Sequence, residues 1–145
     1  MKSKIAFVLL AFFFIFSCKT VKNINHFECK GLSEQGFILV SIENKNQYSL
    51  DDIYKSALDQ VLTKGFASQN CQTQYSIIPA TDLVKFNKIS KKFYANNGDW
   101  KNFITPISDY AKNENHQNVS FKINKNALQS YLQNKGILKP LNNIF

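Results

Sequence analysis

The chain contains no arginine: all eighteen of its cationic side chains are lysine. Arginine is the residue that grips phosphate, carboxylate and guanine edges with two parallel hydrogen bonds, so a sequence-specific nucleic-acid partner is not expected. Histidine is nearly as scarce. His26 and His116 are the whole supply, with no HExxH pattern and no Cys/His cluster at ligand spacing, which argues against zinc. The five glycines form neither a G-x-x-x-x-G-K-[ST] loop nor a G-x-G-x-x-G fingerprint, leaving nucleotide binding without support. Gly31-Leu32-Ser33-Glu34-Gln35-Gly36 lacks the spacing of a nucleophile elbow. No catalytic residue, metal or cofactor is expected.

The chain has ten acidic residues, Glu28 and nine others. Glu34, Glu43, Asp51, Asp52, Asp59, Asp82, Asp99, Asp109 and Glu114 could in principle supply a carboxylate pair, which keeps open an envelope hydrolase acting on glycan or peptide. Simpler roles cover most of them. Asp51 and Asp52 fall in a first helical turn, where negative charge suits the helix dipole. Asp82 does the same for a second helix, Asp99 sits in a turn, and Asp59 is four residues after Lys55, an ordinary surface pair. Five of the thirteen phenylalanines lie between positions 7 and 16, and the other aromatics recur at core-compatible spacings. Trp100, just after a turn, is the aromatic whose exposure is worth inspecting.

What the chain does have is an apolar N-terminus. Lys2 and Lys4 precede an unbroken apolar run over residues 5–16, followed by Ser17 and Cys18. A transmembrane helix needs about 20 such residues, whereas a shorter run ending at a small residue reads as an export signal. Ile15-Phe16-Ser17-Cys18 resembles the lipobox of bacterial lipoproteins, which implies cleavage after residue 17 and acylation of Cys18, with palmitate among the acyl chains. Cleavage by the general signal peptidase, leaving a free thiol, is one alternative, and an uncleaved apolar anchor is another. Two or more acyl chains hold a protein stably on a membrane. Without Lys2 and Lys4 the formal charge of +8 falls to about +6, a solvated basic surface with at most a weak attraction to anionic lipid or polymer.

Cys29 and Cys71 then remain, an even number in an exported chain. A disulfide between them would stabilise the fold by ~4 kcal/mol in the chain-entropy model; two buried thiols are the alternative.

Residues 18–27 read as a polar tether and 28–145 as one domain. Alternation over 36–43 (GFILVSIE) predicts a central strand. Ser49, with Asp52 three residues on and Tyr48 as a staple to Ile53, predicts a helix over 50–64 ended by Gly65. A short strand is predicted at 74–78, a helix capped by Thr81 at 82–94, and a turn at 96–99. An extended segment at 103–110 is expected to pair with 119–124, and Asn126 to cap a helix over 127–135 ended by Gly136. Leu141, Ile144 and Phe145 would pack back. The expected class is α+β: a small, mostly antiparallel sheet with about three helices on one face, after a cleaved signal peptide.

FILVSIE, DDIYKSALDQVLTKGF, KKFYANNGDWKNFI and VSFKINKNALQSYLQNKGIL together resemble small lipoproteins of Gram-negative, Bacteroidota-type bacteria. The strand and Ala-containing helix are also similar in fold to domains of flagellar-assembly and related envelope lipoproteins. The resemblance implies a periplasmic or surface-facing protein, lipid-anchored to the inner or outer membrane, with an envelope protein as partner. It assigns no site residues. A non-enzymatic interaction or accessory module of an envelope or secretion assembly is the leading expectation, beside the hydrolase and a binder of small ligands or lipids.

Overall fold

Alternation in two segments of the chain builds the centre of the molecule. In a computed structural model, which describes residues 27–31, 36–44, 48–68, 71–107, 112–113 and 116–140, strand β2 (Phe37–Asn44) runs antiparallel to β7 (His116–Asn124). The register sets Ile38 opposite Ile123, Val40 opposite Phe121 and Ile42 opposite Val119. Directly opposed side chains share a face, and all six of these are buried. Phe37, Leu39 and Ser41 take the other face of β2 and are half-buried.

The remaining strands extend this pair. Strand β1 (Glu28–Gly31) joins β2 through a bulge, β5 (Ile104–Pro106) joins β7, and β6 (Lys112–Asn113) turns back on the start of β7. The order is β1-β2-β7-β5 with every pair antiparallel, so β2 is a central strand as its two apolar faces predict. A separate hairpin pairs β3 (Phe66–Ser68) with β4 (Cys71–Gln74). With three helices the class is α+β.

Helix α1 (Leu50–Asp59) starts where the capping pattern puts it, with the Asp52 amide donating to Ser49 Oγ over 3.2 Å. Its final turns widen into a π-helix over Gln60–Lys64. There the Thr63 hydroxyl donates to the Asp59 carbonyl (2.8 Å), and the Gly65 amide reaches back to Gln60 (2.7 Å). The last carbonyls of this widened end are taken by a later segment: Ile77 N–H donates to Val61 and Ile78 N–H to Leu62 (3.1 and 2.9 Å). That use of their amides keeps Ile77 and Ile78 out of any sheet. The predicted strand is therefore displaced to 71–74, and Ile77 and Ile78 serve as a buried plug beneath α1.

Helix α2 (Leu83–Phe93) follows a 3-10 turn at Ala80–Asp82 and has no side-chain cap, so Thr81 does not play the expected role; it is exposed within that turn. A second 3-10 turn, Asp99–Phe103, leads into β5, so Phe103 belongs to the turn and not to the strand. Helix α3 (Lys125–Asn134) begins two residues earlier than expected. Its cap is Asn124, whose side chain accepts from the Ala127 amide at 2.9 Å; Asn126 lies inside the first turn. Gly36 explains the shift. Its carbonyl accepts from the Lys125 and Asn126 amides (2.9 and 3.4 Å), fixing the helix start against the beginning of β2.

The buried faces of the three helices close one core over the Ile38–Phe121 face of the sheet, with Phe27 at its edge. Positions 1–17, Cys18, the rest of the tether to 26, and Leu141, Ile144 and Phe145 lie outside the described residues.

Candidate functional site

The densest grouping of polar and aromatic chemistry lies where α2, the Asp99–Phe103 turn and α3 meet. Phe93 is its centre, stacked on Phe103 at 6.0 Å between centroids and in edge contact with Tyr94 at 4.8 Å and Phe86 at 5.7 Å. Tyr131 completes the group at 5.6 Å from Phe93 and 5.4 Å from Phe103. Such pairs each add ~0.5–1.5 kcal/mol beyond the area they bury.

Trp100, the aromatic whose exposure the sequence left open, is buried. It is 2% accessible, and its indole N–H donates to the Ala95 carbonyl over 2.8 Å. The ammonium groups of Lys55 and Lys101 stand 5.1 and 5.5 Å from its ring centroid, within the range of a cation–π attraction. Gly98 permits the turn to dock here, since a Cβ at that position would fall on the Phe93 and Lys92 carbonyls.

Two tyrosine–carboxylate pairs flank this cluster. The Tyr131 hydroxyl donates to Asp99 Oδ2 over 2.8 Å, and the Tyr94 hydroxyl to Asp59 Oδ1 over a longer 3.4 Å. Burial first, then the Asp99 carboxylate, pushes the Tyr131 phenol up to about 12; burial and Asp59 push Tyr94 up as well. Asp59 is itself raised by burial, against the opposing pull of Tyr94 and Lys64. The expected Lys55–Asp59 surface pair is thus replaced: Asp59 faces Tyr94 while Lys55 lies over Trp100.

Both phenols stay protonated at neutral pH and act as donors. Each pair joins elements distant in sequence, α1 to the end of α2 and the 3-10 turn to α3. The arrangement positions helices, each carboxylate meeting a phenol. Of the other acids, Asp51 and Asp52 occupy the first turn of α1, Asp82 pairs with Lys85 at 2.8 Å, and Glu43 is exposed on β2. Glu34, Asp109 and Glu114 lie outside the described residues, as does His26.

Cys29 and Cys71 fall on β1 and β4. These strands belong to different sheets but approach within 8 Å, Cα to Cα. Among the described residues no group of three His, Cys, Asp or Glu could hold a metal ion, and no helix is long and apolar enough to cross a membrane. No protein family, curated protein or solved structure matches the chain.

The tyrosine–carboxylate pairs were not legible in advance. Their members are 35 and 32 residues apart, and nothing local marks a phenol that will meet an acid.

Proposed function

We propose that this protein is a lipid-anchored, non-enzymatic module of the cell envelope that acts through contacts with an envelope protein. The observation that carries the proposal is Ile15-Phe16-Ser17-Cys18 at the end of an apolar run too short to span a bilayer. The state of the carboxylates adds support: Asp59 and Asp99 are each engaged by a phenol in helix packing.

The test is metabolic labelling with an alkyne-bearing fatty acid. The wild-type chain takes up label and stays with the membrane fraction, whereas Cys18→Ser loses both. Equal labelling of the two chains, or none in either, refutes the anchor. Crosslinking in whole cells addresses the second half, and the absence of any protein adduct across several crosslinker lengths would count against an interaction module.

A further inference from the structure

Helix α2 carries a charge pattern that packing does not require. Its buried side is Phe86 and Phe93, with Leu83, Ile89 and Tyr94 against the core. On the opposite side, Val84, Lys85, Lys88, Lys91 and Lys92 fall within about a third of the helix circumference at 100° per residue, and all are exposed. No acidic residue occurs anywhere in Leu83–Phe93.

The acids on either side of the helix are already engaged. Asp82 bonds Lys85, the nearest of the four lysines, and Asp99 accepts from Tyr131 on the far side of the cluster. Lys88, Lys91 and Lys92 have no carboxylate partner among the described residues. Lys91 and Lys92 suit the negative end of the helix dipole, but Lys88 sits mid-helix and Val84, 67% accessible, sits at the opposite end.

We propose that this face of α2 docks on the surface of a bilayer containing anionic phospholipid. Lysine is a compact, well-hydrated point charge that suits diffuse attraction to head groups, and the chain has no arginine for bidentate recognition of a defined phosphate, base or carboxylate. Val84 places a small apolar group on the same face, where it can enter the interfacial region without opening the core. Residues 18–26 extended reach about 30 Å, enough for α2 to meet the membrane that holds the anchor. Only this last point rests on acylation of Cys18; the charge argument stands without it.

The experiment uses the full chain as cells process it, mixed with or reconstituted into vesicles of phosphatidylcholine alone or with phosphatidylglycerol added. A water-soluble amine-acylating reagent is read by peptide mass spectrometry, with exposed Lys64 and Lys139 as internal references. The proposal expects Lys85, Lys88, Lys91 and Lys92 to be protected severalfold in the anionic vesicles alone, and the protection to vanish in high salt. The triple variant Lys88→Gln, Lys91→Gln, Lys92→Gln, with helix content checked by circular dichroism, should lose protection at Lys85. Three such charges correspond to about a hundredfold in surface partitioning. Equal labelling in the two vesicle types overturns the proposal. So does protection by soluble heparin or an oligonucleotide with none from vesicles, which would assign the face to a polyanion. The mass of the N-terminal peptide, read in the same digest, reports the anchor separately.

Discussion

The Tyr131 hydroxyl donates to Asp99 across 2.8 Å and so ties α3 to the 3-10 turn that carries Trp100. The folded state holds this phenolic proton more tightly than the unfolded chain, with the group moved from 10.0 to about 12. Its contribution to stability is full below pH about 10 and is lost as pH rises through about 12. Tyr94 adds to the same alkaline loss, since its shift has the same sign. Tyr131→Phe should cost ~1 kcal/mol at neutral pH and flatten the fall in stability over that alkaline window. Urea midpoints at neutral pH and at several alkaline values check it; an unchanged slope would remove the pair from the stability of the fold.

Asp59 should behave in the opposite way to an ordinary salt-bridged carboxylate. Burial raises its pKa from 3.8, so the folded state prefers the protonated form. The preference favours folding at low pH and is lost as pH rises through the raised value. Asp59→Asn keeps an acceptor for Tyr94 and removes the buried charge. The expected outcome is a urea midpoint at pH 7 equal to or above that of wild type, with the advantage shrinking in acid. A clear loss at pH 7 would show that the ionised carboxylate is needed.

Gly36 is favoured by its backbone angle of φ +90°, and a Cβ there would meet only the amide end of the exposed Asn126 side chain, which can turn aside. Gly36→Ala should therefore destabilise by ~1–2 kcal/mol, chiefly from the left-handed conformation. Adding Asn126→Ala should recover little of that loss. A large recovery in the double variant would contradict that division.

What could be read from the sequence and what could not divide along physical lines. The β2 strand, the Ser49 cap and the buried stripe of α1 each depend on side chains within a few residues of one another, and all three form as the pattern predicts. The displaced β4 strand depends on a distant event, the donation of the Ile77 and Ile78 amides to the end of α1. The start of α3 posed a different problem. Asn124 and Asn126 are equally good caps by composition, and the Gly36 carbonyl, nearly ninety residues away, decides between them. The exposure of Trp100 was open from its turn position, and the fold decides it: the ring is buried and its indole N–H bonds the Ala95 carbonyl. The α+β class was legible because it needs only the order of elements. The solvated lysines of α2 were legible from its helical period, and the structure leaves Lys85, Lys88, Lys91 and Lys92 exposed; the Tyr–Asp pairs needed the assembled fold.

Strands β1 and β4, which carry Cys29 and Cys71, come within 8 Å of each other, and bridged Cα atoms lie about 4.4–6.8 Å apart. If Cys29 and Cys71 are joined, alkylation of the unreduced, denatured protein should leave both unmodified, and reduction beforehand should add two alkyl groups. Cys29→Ser should then destabilise by several kcal/mol, within the ~2–5 kcal/mol typical of a lost native disulfide. Full alkylation without reduction would establish free thiols.

Strand β7 and helix α3 meet without any connecting residue, Asn124 being both the last position of the strand and the cap of the helix. A single inserted residue at that corner would turn α3 by about 100°, carrying Leu128 and Leu132 out of the core and Tyr131 away from Asp99. Length at this junction is therefore as tightly fixed as the identity of any side chain there.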